Sequence, residues 1–358
     1  MFVNVPIPNK DYKVLIRCAT YNHSKYICDA LNGFSIQETD FPFICIVVDD
    51  ASKDENQEVI RQYANDNCDM SKAEILEDDI SKYIRVPHKT NENCVFLFCL
   101  LKLNLYGKPE KKEIYKPYRE ICEYEAICEG DDYWTHPKKI QKQVDWMDNH
   151  FDFSMSHTAF DYFYENENRF IPCDLEKLKK IPDPSLEDII SKYHIQSHTV
   201  VLRTSALIQA ELHDPFLFSG YFLFGDRILF FMMRYYGKIH LMEDNTGVYR
   251  KNDGSVTRNG AKSTIALFRS AAEFHCYVCE KYSLSKEFYL TKKKNLSEKM
   301  RLYYFFDPSF ESKICGRYNP SFVDKLLMLS GMGSFFISLK YNLFKKLGPI
   351  YRRFKNKY

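Results

Sequence analysis

Two short apolar runs near the N-terminus each stop abruptly at a polar cluster, and this pattern limits the folds open to the chain. Lys13 to Ala19 (KVLIRCA) gives way to Thr20, Tyr21, Asn22 and His23, and Phe43 to Val48 (FICIVV) to Asp49, Asp50, Ala51 and Ser52. Runs this short and this apolar read as buried strands. Between them Tyr26, Ile27, Ala30, Leu31 and Phe34 recur at three-to-four spacing, the apolar face of a helix. The unit is therefore β-α-β. After it, Ser52 and Glu55 have capping-box spacing, and Val59, Ile60, Tyr63 and Ala64 line one face of a further helix.

The alternation continues down the chain. Ile121 to Cys128 predicts a strand running into Glu129, Gly130, Asp131, Asp132, Tyr133 and Trp134. Pro137 suits the first turn of a helix whose buried face is Ile140, Val144 and Met147. Phe153 to Phe160 and His198 to Leu202 predict strands, and Gly225, Asp226 and Arg227 open an apolar helix from Ile228 to Tyr236 that Gly237 stops. Ile239 to Met242 and Gly247 to Tyr249 read as short strands around an acidic turn. Cys68 to Lys82 has no clear period, and Gly107 to Tyr118 reads as a solvated excursion. From Ala261 onward the pattern is helical, so the expected domains are 1–260, an α/β domain, and 261–358, a helical C-terminal extension.

Composition narrows the class. A chain of 358 residues, 45% hydrophobic and 27% charged, with 28 Phe and 26 Tyr, is neither disordered nor fibrous. Lysine plus arginine (50) against aspartate plus glutamate (48) leaves +2, which rules out a strongly basic nucleic-acid binder by bulk charge alone and leaves only local patches open; no nucleic-acid partner is expected. The 12 cysteines are scattered, and several lie inside apolar runs, which favours a reducing compartment and a cytoplasmic location. Cys276 and Cys279 lack a second pair at zinc spacing and read as helix packing. The first residues carry no secretory signal, and no apolar run approaches the roughly 20 residues that span a bilayer.

In an open α/β sheet, ligands bind beyond the carboxyl ends of the strands. The clusters at Thr20–His23, Asp49–Ser52 and Asp131–Asp132 stand at such ends, and Gly225–Asp226 precedes the late helix. One Asp-Asp pair is more often a turn or cap than a site, but four clusters in succession are not expected of turns alone. The blocks ATYNH (19–23), IVVDDAS (46–52), EGDDYWTHPKKIQKQV (129–144), SHTVVLRTSAL (197–207), FGDRILFFMMRYYGKI (224–239) and GVYRKNDGSVT (247–257) resemble, in order and spacing, the inverting family 2 glycosyltransferases. That resemblance covers about Val14 to Thr257. It implies the GT-A fold of nucleotide-diphospho-sugar transferases, a Rossmann-like, mostly parallel central sheet flanked by helices.

The resemblance also implies roles. Asp132 is the expected ligand of Mn²⁺ or Mg²⁺, with Asp131 on the ribose or a metal-bound water. Asp226 is the expected base that deprotonates the acceptor, a role compatible with capping the helix that follows it. Asp50 matches the residue that reads the base, Tyr21 lies beside it, and Thr20 and Asn22 belong to the same loop. Trp134 reads equally as a sugar platform or a core residue. Arg250 and Lys251 are candidates for the diphosphate, while His157 and His198 read as hydrogen-bonded structural histidines.

Two departures bear on the reading. Asn91, Glu92, Asn93 and Cys94 stand where the family often has asparagine and glycine, which leaves the donor-side loop open. No Gln-x-x-Arg-Trp motif follows Asp226, which favours transfer of one sugar per encounter over polymer synthesis. The expected activity is thus a metal-dependent transfer from a nucleotide-diphosphate sugar, with UDP-sugar leading, to a glycan or lipid-linked acceptor of surface polysaccharide biosynthesis. A nucleotidyltransferase or a non-catalytic nucleotide-sugar binding module remains an alternative.

The C-terminal residues add a partner. From Lys325 to Tyr358 there is no acidic residue, while Lys325, Lys340, Lys345, Lys346, Arg352, Arg353, Lys355 and Lys357 interleave with aromatic and aliphatic side chains. Such a segment reads either as a peripheral anchor on anionic lipid at the inner face of the cell membrane or as a tail packed on the catalytic domain. Deleting residues 340–358 is expected to abolish co-sedimentation with anionic liposomes, and unchanged sedimentation would exclude the anchor.

Overall fold

The apolar runs form the middle of a single twisted sheet. The computed structural model describes residues 5–108, 110–251, 260–333 and 335–339. In chain order the first unit contains β1 (Val14–Thr20), α1 (Ile27–Ser35), β2 (Phe43–Asp49), α2 (Asn56–Asn67), β3 (Glu74–Glu77), β4 (Ser81–Pro87), β5 (Cys94–Leu101) and α3 (Glu110–Arg119). It continues with β6 (Tyr124–Ile127), β7 (Tyr133–Trp134), α4 (Lys139–Asp148), β8 (Phe153–Tyr164), β9 (Arg169–Pro172), α5 (Leu175–Lys179) and α6 (Leu186–Ser191). β10 (Val201–Arg203), α7 (Thr204–His213), α8 (Gly225–Tyr236) and β11 (Lys238–Lys251) complete it.

The sheet order is β3-β4-β5-β2-β1-β6-β10-β8-β11-β7, with β9 on β8. β5, β2, β1 and β6 pair in parallel, and β8 and β11 run in the same direction because β10 lies antiparallel to both β6 and β8. The result is a mixed α/β architecture whose large, mostly parallel central sheet is flanked by helices. Alternate side chains of each strand point to opposite faces. Val14, Ile16, Cys18, Phe43, Cys45 and Val47 meet Ile27, Leu31 and Phe34 of α1, Ile60 of α2 and Ile140 of α4. Leu15, Ile44, Ile46, Val48, Leu97 and Cys99 meet Ile114, Tyr115 and Tyr118 of α3. Both faces are covered, so these strands carry no polar alternation.

Register places the site. Thr20 stands opposite Asp49 across β1 and β2, so the two polar clusters leave the sheet at one level. The third cluster follows β6, a neighbour of β1 on the other side.

Five local expectations need correction. Gly107 to Tyr118 is not a solvated excursion, since α3 occupies most of it and buries the Ile114, Tyr115 and Tyr118 stripe. The two short strands after Gly237 are one strand, β11, in which the acidic turn is absorbed as register shifts against β8. Ser52 does not cap α2, because its hydroxyl donates to Asp49 Oδ2 at 2.5 Å, and a carboxylate is the stronger acceptor. Pro137 lies before the helix it was expected to open, and the residues around His198 form a short turn that precedes β10.

The chain divides by contacts into two compact units, Met1–Tyr221 with Gly225–Asn252, and Phe222–Phe224 with Asp253–Tyr358. The second is built on α9 (Ala261–Lys281) and α10 (Lys286–Tyr304), followed by a small hairpin of β12 (Glu311–Ser312) and β13 (Gly316–Arg317), and then α11 (Phe322–Leu329). Ala272, Cys276, Leu296 and Met300 form its core. All 12 cysteines are free. Among the described residues no helix is long and apolar enough to cross a membrane. The basic segment 340–358 lies outside the described residues.

One close approach fixes where the third loop runs. A Cβ on Gly33 in α1 would stand 2.8 Å from the backbone N and O of Trp134 in β7. Helix propensity alone would favour alanine there by about 1 kcal/mol. The Gly33→Ala variant is nonetheless expected to lose about 1–3 kcal/mol through overpacking. Urea unfolding checks this, and an unchanged or raised midpoint would show that the contact is not tight.

Candidate active site

The first two polar clusters form one hydrogen-bonded platform. Asp49, fully buried at the end of β2, accepts from Ser52 N at 3.0 Å and Gln57 Nε2 at 2.8 Å on Oδ1. Its Oδ2 accepts from Ser52 Oγ at 2.5 Å and Asn56 Nδ2 at 2.7 Å. The same Asn56 amide reaches Thr20 Oγ1 at 3.1 Å, so the end of β1 is tied to the start of α2. Asn22 closes the platform: its N–H donates to Ser52 Oγ at 2.9 Å and its Oδ1 accepts from Lys53 N at 2.8 Å. Asn22 and Ala51 both hold left-handed backbone, with φ of 57° and 55°, as the two loops turn toward each other. Tyr21, between these anchors, is 37% exposed.

Asp50 is buried beside this platform, and both of its carboxylate oxygens have donors. Oδ1 accepts from Leu105 N–H and Oδ2 from Lys111 Nζ at 2.7 Å. Lys111 belongs to α3, the helix that the sequence reading missed. The three-to-four spacing of Ile114, Tyr115 and Tyr118 was the signal that could have revealed it.

The third cluster is of a different kind. Gly130 passes so close to β1 that a Cβ there would meet Thr20 Oγ1 at 2.6 Å. The loop then delivers Asp131, which is partly exposed, and Asp132, which is 2% exposed. Asp132 Oδ1 accepts from the backbone N–H of Arg250 at 2.8 Å. Burial, reinforced by the neighbouring charge of Asp131, pushes the Asp132 carboxyl well above the usual range. Glu129 is raised as well, first by burial and then by Asp132, although Ser197 Oγ donates to it at 2.6 Å.

Arg250 and Trp134 hold this loop from behind. The Arg250 guanidinium donates from Nε to the Asp131 carbonyl at 3.0 Å and from an Nη to Asp29 at 2.6 Å. The rings of Tyr26, Tyr133 and Phe163 surround it. The sequence left Trp134 as a sugar platform or a core residue, and its surroundings are those of the core. It is 2% exposed, edge-on to Phe34, with Lys139 Nζ 4.5 Å from its ring centroid and its indole N–H on His198 O at 2.6 Å. His157 bonds Tyr193 Oη at 2.9 Å, as a structural histidine should. His198 does not match that expectation: its buried ring nitrogens have no hydrogen-bond partner, and burial pushes it down to about 3, so it is neutral.

Asp226 stands exposed in the first turn of α8, where its Oδ1 accepts from Arg227 N at 2.8 Å. It shares an electrostatic neighbour with the third cluster. The Tyr249 hydroxyl is pushed up by burial and then by the charges of Asp132, Asp131, Glu129 and Asp226. Lys251 Nζ lies over the Tyr249 ring, 4.2 Å from its centroid. The charges of Asp132, Asp131, Glu129 and Asp226 thus all act on one side chain of β11, while Asp50 and Thr20 belong to the platform at the ends of β1 and β2. Glu129, Tyr249, Lys111 and Asp49 were not singled out as site residues by motif. Asp131 and Asp132 are the hard-oxygen donors that could hold a divalent cation. Among the described residues no three His, Cys, Asp or Glu stand together as a metal site.

No protein-family model matches the chain. Uncharacterized proteins of Mycobacterium tuberculosis and Mycobacterium bovis are 30% identical to it over 187 residues, which is 51% of this chain and 45% of theirs. The chain therefore spans about half the length of the curated relatives it matches. Among solved structures it is similar to Staphylococcus aureus TarS 1-349 in complex with UDP, at 19% identity and a TM-score of 0.46, over 83% of this chain and 73% of that one. It is also similar to the mannosyltransferase PcManGT of Pyrobaculum calidifontis in complex with GDP-Man and Mn²⁺, at 11% identity and a TM-score of 0.47, over 96% and 90%.

The platform yields a stability test. An asparagine at position 49 offers one acceptor oxygen in place of two, so donors among Ser52, Asn56 and Gln57 are left unmatched. Asp49→Asn is expected to lose about 1–3 kcal/mol in chemical denaturation. Wild-type stability in that variant would show that the platform does not depend on the carboxylate.

Proposed function

We propose that the chain transfers one glycosyl group from a nucleoside-diphosphate sugar, with a UDP-sugar as the leading donor, to an acceptor hydroxyl, with inversion at the anomeric carbon. The observation that carries this reading is that the charges of Asp132, Asp131, Glu129 and Asp226, from loops and a helix start after the sheet strands, all act on the Tyr249 hydroxyl. Breaking the bond between the anomeric carbon and the diphosphate oxygen puts negative charge on the leaving diphosphate, in a place where the protein already concentrates carboxylates. Arg250 and Lys251 oppose part of that charge, and a bound cation would oppose the rest. The donor set fits one: two adjacent hard-oxygen carboxylates, one of them raised by burial and by its neighbour's charge more than Arg250 and Lys251 lower it. Mg²⁺ or Mn²⁺ bound there would neutralise the leaving diphosphate.

The remaining roles belong to the chain itself. Asp226, exposed on a separate element, takes the proton of the acceptor hydroxyl as it attacks the face opposite the leaving group. Its bond to Arg227 N–H uses one oxygen and leaves the other free to face the acceptor. Tyr21 offers an exposed ring to the base or ribose, and Asp50, on the same platform, reads the base once its bonds to Lys111 and Leu105 are exchanged. Thr20 and Asn22 keep that platform in shape. Arg250 fixes the backbone of the Asp131 loop. The acceptor is a glycan or a lipid-linked saccharide of surface polysaccharide assembly, and the basic aromatic segment 340–358 would bring the enzyme to an anionic membrane that carries it.

Asp226→Asn is expected to bind UDP as the wild type does and to lose transfer by about 10²–10⁴-fold. Titration of UDP with Mn²⁺ present, followed by product analysis with a panel of UDP, GDP, dTDP and CMP sugars, measures both. Undiminished transfer by Asp226→Asn would refute its role, and binding of UDP without any turnover would point to a binding module.

A further inference from the structure

Several buried side chains among the described residues carry an unsatisfied polar atom, and His198 carries two. It is fully buried, and neither Nδ1 nor Nε2 has a hydrogen-bond partner. An unsatisfied buried polar atom costs about 1–3 kcal/mol, and native structures keep few of them without a reason. His157, the other buried histidine of the same unit, bonds Tyr193.

The unsatisfied nitrogen is aimed at the carboxylate pair. Nδ1 of His198 stands 3.4 Å from Oδ2 of Asp132. That separation is long for an N–H···O hydrogen bond. It is close to the ~3.0 Å that separates two adjacent donors sharing one ion at ligand distances of about 2.1 Å. The ring is also held in place. The indole N–H of Trp134 fixes the His198 carbonyl at 2.6 Å, Phe160 packs edge-on at 5.3 Å, and Tyr249 lies 6.1 Å away. Gly247 leaves room for it, since a Cβ there would stand 3.0 Å from His198 Cδ2. Such support is what an orienting shell gives a metal-binding histidine.

We infer that the His198 imidazole is a direct ligand, beside the Asp132 carboxylate, of the divalent cation taken by the proposed site. This rests on the glycosyl-transfer reading only for the existence of that cation. With two protein ligands supplied by Asp132 and His198, donor phosphate oxygens and water complete the shell. Imidazole suits transition metals better than Mg²⁺, so the site selects Mn²⁺ over Mg²⁺.

Pulsed electron paramagnetic resonance of the full chain with Mn²⁺ and UDP tests this directly. The expected spectrum carries ¹⁴N modulation from a bound imidazole, which is lost in His198→Gln, together with a drop of about tenfold or more in Mn²⁺ affinity. Mn²⁺ bound to the wild type without ¹⁴N modulation, or modulation that persists in His198→Gln, overturns the ligand assignment and leaves the transfer reading standing. Mn²⁺ that fails to bind the wild type with UDP present overturns the cation site itself. The wild-type spectrum decides even if the variant does not fold, and His198→Asn supplies a second substitution.

Discussion

A carboxylate removed from water beside another carboxylate is the constraint around which this molecule is arranged. Asp132 is 2% exposed, has Asp131 as its chain neighbour, and receives a backbone N–H from Arg250. Burial and like charge both oppose its ionisation, while Arg250 and Lys251 favour it less strongly. The supporting structure keeps it there. Gly130 lets the loop pass against Thr20, Gly33 lets β7 lie on α1, and Arg250 clamps the Asp131 carbonyl from β11.

The contrast with Asp49 shows how partner number separates scaffold from chemistry. Asp49 is also fully buried at a strand end, yet four donors satisfy it and it joins two loops into one platform. Both residues open an Asp-Asp pair or close one, and sequence cannot tell them apart. What distinguishes them is the supply of N–H and O–H groups from Ser52, Asn56 and Gln57, which only the folded chain reveals. The same comparison applies to the histidines: His157 has a phenol partner, and His198 has none.

Much of the fold was legible because its signals are local. β1, β2 and α1 announce themselves by uninterrupted apolar runs and a three-to-four stripe, since both faces of the central strands are covered. α3 was hidden because its exposed positions are crowded with lysine and glutamate, which masked the three buried residues that define it. β11 looked like two strands because an acidic stretch sits where the strand bulges against β8. Ser52 was expected to cap a helix, but a carboxylate three residues earlier competed for its hydroxyl and won.

The sequence alone determined which elements form and that carboxylates cluster where strands end, because both follow from the periodicity of side chains within a few residues. Which of those carboxylates come together depended on the tertiary structure. Asp226 and Asp132 belong to distant segments, and their charges act on the same Tyr249 hydroxyl because the strand order sets β11 on β8, beyond the antiparallel β10 that joins β8 to β6. Likewise the meeting of His198 with Asp132, and of Lys111 with Asp50, is set by strand order and helix packing. Those contacts join residues far apart in the chain, and no local pattern encodes them.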